Sequence, residues 1–219
     1  VAFDKKSPTF RHLEYTAYKA GRKKMPDELR EQFEPLKKLL DAFNINRLEI
    51  DGYEADDIIG TISKIAEDEG FEVYIVTGDK DAIQLASKNI TTLITKKGVA
   101  DMEEYDFDKV VEKYEMTPAQ FIDLKGLMGD KSDNIPGVAG IGEKTGIKLI
   151  KEYQSIENIL ENIDNLKGSI KTKIEKNKES AIMSKKLATI IRNVPIDFNM
   201  CDLEYGSYDE EKLLKEFEK

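Results

Sequence analysis

Strand-like and helix-like segments alternate through the first 105 residues of this chain, and after Asp106 nothing reads as a strand. Val1–Phe3, Arg47–Ile50, Glu72–Thr77 and Ile90–Thr95 are short runs rich in β-branched residues. Between them, Leu29, Phe33, Leu36, Leu40 and Phe43 keep helical spacing, with Pro35 placed to kink or split that helix. Ile58, Ile59, Ile62, Ile65 and Ala66 mark a second amphipathic helix ending near Gly70. Such alternation predicts an α/β domain, a mainly parallel sheet with helices on both faces. Phe107–Tyr114, Pro118–Leu127, Glu143–Tyr153, Ile156–Asn162, Ile170–Asn177 and Ser180–Ile190 then read as a helical subdomain, joined to the first near residues 105–118. Asp209 to Lys219 reads as one more helix.

Acids collect at the ends of these elements. Asp4 and Asp79 follow strand candidates, at the edge where open α/β sheets build their sites. Glu54, Asp56 and Asp57 open the Ile-rich helix, Asp81 follows Asp79, and Asp130 and Asp133 precede a glycine-rich turn. Side chains of this kind form an all-oxygen donor set, which selects Mg²⁺ or Mn²⁺, and paired ions suit in-line phosphoryl displacement. Each acid also has a plain structural reading. First-turn carboxylates favour the helix dipole, and Asp79 fits an N-cap. A calcium loop starting at Asp79 is excluded, because its sixth position is Gln84 and its twelfth Ile90.

Gly137, Gly140 and Gly142 bare the backbone of the turn after Asp133, and Glu143 starts the next helix. Amides of Gly140 and Gly142 at a helix N-terminus suit a phosphate, with Lys144 beside them, in the manner of a helix–hairpin–helix. The alternative is a tight interhelical turn. Binding of this type grips duplex backbone without reading sequence.

The formal charge of −9 argues against a nucleic-acid partner until its distribution is read. From Arg11 to Lys24 there are five Lys/Arg against one acid, and from Leu166 to Asn193 eight against two. Divalent cations at the acid clusters would raise the positive potential further. In the first segment Lys19 and Arg22 would share a helical face with Tyr18 beside them, bases for a phosphate and a ring for an unpaired base. A solvated basic helix is the alternative. Charged residues make up 35% of the chain, and no apolar run approaches the roughly 20 residues of a membrane span. One cysteine, Cys201, and one histidine, His12, exclude an internal disulfide and a nitrogen–sulfur zinc site. These features suit a cytoplasmic monomer with no membrane partner.

Taken together the motifs resemble the 5′ nuclease (flap endonuclease) domain of bacterial DNA polymerase I. The matching stretches are Phe3–Asp4, Phe10–Arg11–His12, Tyr18–Lys19–Ala20–Gly21–Arg22, Tyr53–Glu54–Ala55–Asp56–Asp57, Thr77–Gly78–Asp79–Lys80–Asp81 and Leu127 through Thr145. The resemblance implies a PIN-like α/β core over residues 1–115, with a helical arch at about 9–25. It implies a DNA-binding helical subdomain over 116–219. Two or more Mg²⁺ or Mn²⁺ ions would be held by Asp4, Glu54, Asp56, Asp57, Asp79, Asp81, Asp130 and Asp133. Lys19 and Arg22 would act on the phosphate, with Arg11 and Tyr18 contacting DNA. It further implies K⁺ bound by hairpin carbonyls that include those of Val138 and Ile141. The family carries another strand and metal-ligating aspartate ahead of the position of Val1, and commonly an alanine where Gly146 stands. The expected function is metal-dependent cleavage of 5′ flaps, nicked or branched DNA in replication and repair, with a polymerase domain following. A branched-DNA binder that does not cut, and a nuclease unattached to a polymerase, are the alternatives.

Overall fold

The computed structural model describes residues 1–97 and 101–217. The alternating half contains helices α1 (Phe10–Glu14), α2 (Asp27–Glu31), α3 (Phe33–Ala42) and α4 (Ala55–Asp68). Strand β1 (Val73–Thr77), a 3₁₀ turn at Lys80–Leu85, β2 (Ile90–Lys97) and β3 (Asp101–Tyr105) follow. The helical half contains α5 (Phe107–Tyr114), α6 (Pro118–Met128), α7 (Glu143–Tyr153), α8 (Ile156–Glu161), α9 (Gly168–Lys176), α10 (Lys178–Ala188) and α11 (Glu210–Phe217). The helix expected to reach Lys219 is thus α11, and residues 218–219 lie outside the described part. No helix among the described residues is long and apolar enough to cross a membrane.

Pro35 sits in the first turn of α3, where its missing N–H has no intrahelical partner to lose. The expected helical stretch accordingly divides at Gln32, which ends α2 and caps α3.

Three features depart from the expected sheet. Its order is β1-β2-β3, with β1 parallel to β2 but β2 antiparallel to β3, so the sheet is mixed. β3 escaped the sequence pattern because Asp101, Glu103 and Glu104 give it a polar, low-propensity reading. Val1–Phe3 and Arg47–Ile50 meet only in an isolated parallel bridge between Ala2 and Leu48. The free edge of β1 borders a cleft of about 650 Å³ toward Val1, Ala2 and Leu48. Nor is β1 covered on both faces. Ile75 is buried with Leu85, Ile90 and Ile190, while Tyr74 and Val76 are more than half exposed.

The helical half has its own core, in which Leu124 and Leu127 of α6 pack with Val138, Ile141, Leu149, Ile150 and Ile174. Contacts also cross the boundary expected at residues 115/116. Past α10 the chain runs back over the alternating half. Gln84 donates to the Ala188 carbonyl and accepts from the Ile190 amide, and Thr61 accepts from the Val194 amide. Tyr208 then packs edge-on against Phe43, and Asn46 donates to the Asp202 carbonyl. The described residues from Ile190 to Phe217 therefore form a strap over the alternating half.

The expected helical arch at 9–25 is also absent. α1 stops at Glu14, and Lys19 has a positive φ of 55°, which an α-helix cannot accommodate. Residues 15–22 instead form successive turns closed by Tyr18 N–H to Tyr15 O, Ala20 N–H to Ala17 O and Arg22 N–H to Lys19 O.

Candidate metal and phosphate site

Two loops distant in sequence are stitched together first. The Lys19 amide donates to the Asp133 carbonyl at 2.8 Å, and the Asn134 side chain donates to the Ala17 carbonyl at 2.7 Å. Asp130 and Ile135 exchange both backbone hydrogen bonds, which folds residues 130–135 into a tight loop facing the basic turns. Around that seam lies a cavity of about 130 Å³ lined by Asp4, Glu54, Asp56, Asp79, Asp81 and Asp133, with Lys19 and Arg22 among them.

Each acid owes its position to local structure. Asp4 accepts the first-turn amide of Ala55 at 2.7 Å, an anion on the N-terminus of α4. Asp79 is the N-cap of the 3₁₀ turn and accepts from the Asp81 amide at 2.9 Å. Glu54 is the N-cap residue of α4, and its carboxylate meets the basic turns. Oε1 accepts from Lys19 at 2.7 Å and Oε2 from the Tyr18 hydroxyl at 3.1 Å. Asp133 accepts from the same hydroxyl at 3.1 Å and from Arg22 at 2.5 Å. Burial, followed by the charges of Asp79, Asp4 and Glu54, pushes the Asp56 carboxyl up to about 7.

Asp130 stands slightly apart and is joined to the cavity by Lys125. The Lys125 ammonium pairs with Asp81 and lies 2.6 Å from Asp130 Oδ2. Burial would raise the Asp130 pKa, but hydrogen bonds from Lys125 and Ser132 outweigh it and hold the group down at about 2. Burial raises the Asp81 carboxyl despite Lys125. Lys125 was not singled out from the sequence. It is the lone base on α6, five residues ahead of Asp130, and that spacing was the available signal.

Three expected site residues are buried and engaged within the protein. The Asp57 side chain is fully buried and both its oxygens accept hydrogen bonds. Arg11 donates to Oδ1 and Oδ2 at 2.8 and 2.7 Å, and the amides of Ile191 and Glu54 donate to the same two atoms. Four donors use the lone-pair sites a carboxylate has. Arg11 in turn is 3% exposed, and its Nε and Nη2 also donate to the carbonyls of Leu187 and Thr189. Tyr18 offers no ring to an unpaired base. It is 4% exposed, edge-on to His12, and burial followed by Glu54 and Asp133 raises its pKa, so the hydroxyl stays a donor.

Among the described residues, no three carboxylates, histidines or cysteines converge at ligating distance on one point. Cationic side chains lie between the acids instead: Lys19 on Glu54, Arg22 on Asp133, and Lys125 between Asp81 and Asp130. The residues nevertheless suit hard divalent cations. All donors are oxygens, and the raised Asp56 pKa records a crowding of negative charge that such an ion would relieve.

The glycine-rich turn is anchored to α10 from both sides. Gly137 N–H donates to Ser184 Oγ at 2.9 Å, and Ser180 Oγ donates to Gly137 O at 2.6 Å. Gly142 caps α7 with no side chain over its first amides, and Lys144 is exposed beside it. Lys173, also unremarked in the sequence, donates to the Gly140 carbonyl at 2.9 Å and adds a fixed ammonium to this turn. Ile141 N–H donates to the Val138 carbonyl at 2.9 Å. At Gly146 a β-carbon would lie 2.7 Å from Leu124 Cδ1, which accounts for glycine at this α6–α7 contact.

Comparison with known proteins adds an independent line. Residues 1–115 match the family model described as 5′-3′ exonuclease, N-terminal resolvase-like domain, and residues 116–211 match 5′-3′ exonuclease, C-terminal SAM fold. The chain is 52% identical over 218 residues to DNA polymerase I of Bacillus subtilis, covering 99% of this chain and 25% of that protein. It is 53% identical over 216 residues to DNA polymerase I of Streptococcus pneumoniae R6, covering 98% and 25%. The chain thus spans about a quarter of the length of these relatives. Among solved structures, T5 D15 protein co-crystallized with metal ions superposes with a TM-score of 0.71 at 30% identity, over 86% of this chain and 74% of that one. The catalytic core of Rad2 in complex with DNA substrate shares the fold, with a TM-score of 0.64 at 18% identity over 99% and 72%.

Proposed function

The chain belongs to the 5′-3′ exonuclease family of nucleases, and on that premise we propose that it hydrolyses DNA phosphodiesters at 5′ flaps, nicks and branches. The observation that carries this reading is the single cavity on which six carboxylates from four segments meet Lys19 and Arg22.

Asp4, Glu54, Asp56, Asp79, Asp81 and Asp133, with Asp130 adjoining through Lys125, would hold two or more Mg²⁺ or Mn²⁺ ions. When bound, these ions supply activation of the attacking water and neutralise charge on the attacking and leaving oxygens. Lys19 and Arg22 then exchange a carboxylate partner for the phosphate and stabilise the charge that grows on it. The amides of Gly140 and Gly142, with Lys144, grip the duplex backbone in the helical part, while the turns at 15–22 face the strand being cut. A K⁺ ion on the Val138 and Ile141 carbonyls would share this turn with the Lys173 ammonium. The polymerase relatives support the same setting for this chain, a nuclease module acting beside DNA synthesis in replication and repair.

The test is cleavage of a 5′-labelled flap duplex in Mg²⁺, next to a binding titration of the same DNA in Ca²⁺. Cutting near the branch supports the proposal. Binding without cutting supports the non-cleaving alternative.

A further inference from the structure

We propose that Arg11 and Asp57, rather than contacting DNA and metal, are positioning residues whose buried ion pair fixes Glu54 and helix α10, which holds the glycine-rich turn, in one frame. The inference rests on Glu54 being a metal ligand, as read above.

The geometry is that of a joint. Arg11 comes from α1, Asp57 from the first turn of α4, and the carbonyls of Leu187 and Thr189 from the end of α10 and just beyond it. Asp57 Oδ2 accepts from the Glu54 amide at 3.1 Å, which sets the backbone from which the Glu54 carboxylate projects. Arg11 Nη1 lies 3.5 Å from Glu54 Oε2, so the same guanidinium also touches the projected group. On the far side, α10 carries Ser180 and Ser184, which hold Gly137 of the glycine-rich turn. A continuous set of hydrogen bonds and one short helix therefore runs from the phosphate grip to the carboxylate cavity. Arg11 and Asp57 are buried within it, with side-chain exposures of 3% and 0%.

Groups that orient a metal ligand from behind act on affinity without adding a ligand, and losing one costs about 10–100-fold. Mn²⁺ binding to the full chain, followed by titration, distinguishes the roles. In Asp57→Asn the number of bound ions stays as in the wild type while affinity falls within that range. The double variant Arg11→Met/Asp57→Leu removes both buried charges and restores the thermal midpoint lost in the single variant, because an apolar pair tolerates burial. Its Mn²⁺ affinity stays low, since the Glu54 amide has no acceptor. Should Asp57→Asn not fold, the double variant carries the same comparison.

Three results overturn the proposal: loss of one ion from the stoichiometry in Asp57→Asn, unchanged Mn²⁺ affinity in that variant, or recovery of wild-type affinity in the double variant. Glu54→Gln is titrated alongside. Unchanged Mn²⁺ binding there removes the metal reading itself, whereas weakened binding in Glu54→Gln with none in Asp57→Asn removes only this inference.

Discussion

Lys19 Nζ lies 2.7 Å from Glu54 Oε1, so the base that should meet a phosphate rests on an acid that should meet a metal. Both groups are mostly buried, with side-chain exposures of 17% and 12%. In the proposed reaction Lys19 would leave this carboxylate for the phosphate. The arrangement lets an acidic cavity form without an ion, and it sets a competition between the ammonium and a divalent cation for one carboxylate.

That competition has opposite consequences for binding and for chemistry. Lys19→Met is expected to tighten Mn²⁺ binding by roughly tenfold, the effect of removing one competing charge at close range. Flap cleavage by the same variant should fall by about 100-fold or more, because a group facing the transferred phosphate is gone. A metal titration and a single-turnover assay on one preparation check both signs.

Asp56 gives the metal-free protein a distinct pH dependence. Its carboxyl is raised to about 7 in the folded state, above its ordinary value, so ionisation opposes folding. The penalty is absent only well below the unfolded value of 3.8, where the group is protonated folded and unfolded; it grows as pH rises and is complete above about pH 7. Asp130, held at about 2, is ionised in both states from pH 5 to pH 8 and contributes almost no slope there. Thermal midpoints in EDTA should therefore decline from pH 5 to pH 8, and Asp56→Asn should flatten the decline. Mg²⁺ should raise the midpoint most at the alkaline end.

Lys173 supplies a charge to the glycine-rich turn that a paired lysine would not. Lys173→Met should reduce the salt slope of flap-duplex binding, measured in Ca²⁺, by about one unit of log K per log salt. Lys171, engaged by Asp164 at 2.8 Å, is the control whose replacement should leave the slope nearly unchanged.

Gly137 carries a backbone demand as well as a hydrogen-bond role. Its φ is +62°, and a β-carbon there would stand 2.3 Å from the backbone nitrogen of Gly129. Gly137→Ala should destabilise the protein by about 3 kcal/mol, combining left-handed strain with overpacking against rigid backbone. Chemical denaturation measures this, and flap-duplex affinity should fall along with it.

The amphipathic helices α4, α5 and α7 were legible because their apolar positions recur at helical spacing, and Pro35 announced the break between α2 and α3. β3 was not legible, since its hydrophobic pattern is weak and its pairing with β2 is decided by register in space. For the cavity, the acids at element ends could be picked out, but their partners could not. Nothing in the run Glu54 to Asp57 tells which carboxylate faces the cavity and which faces Arg11. Helical geometry turns adjacent residues about 100° apart, and only the strap through Leu187 to Ile191 decides which side is interior. The same limit hid Lys125 and Lys173, whose partners lie on other elements. The resemblance implied an arch at 9–25, and spacing placed Lys19 and Arg22 on one helical face, whereas the bond to Asp133 holds Lys19 in a turn.

The strap also has a consequence in time. The carbonyls that complete the Arg11 site lie 176 and 178 residues downstream of it. At a synthesis rate of roughly 5–20 residues per second, Arg11 would wait about 9–35 s for its covering segment, and Asp57, 134 residues ahead of Ile191, about 7–27 s. Until then a nascent first domain has two charges in a half-built core and an open seam over α4. A chain halted before Ile191 should therefore be prone to proteolysis and chaperone capture, and one released just beyond it should close.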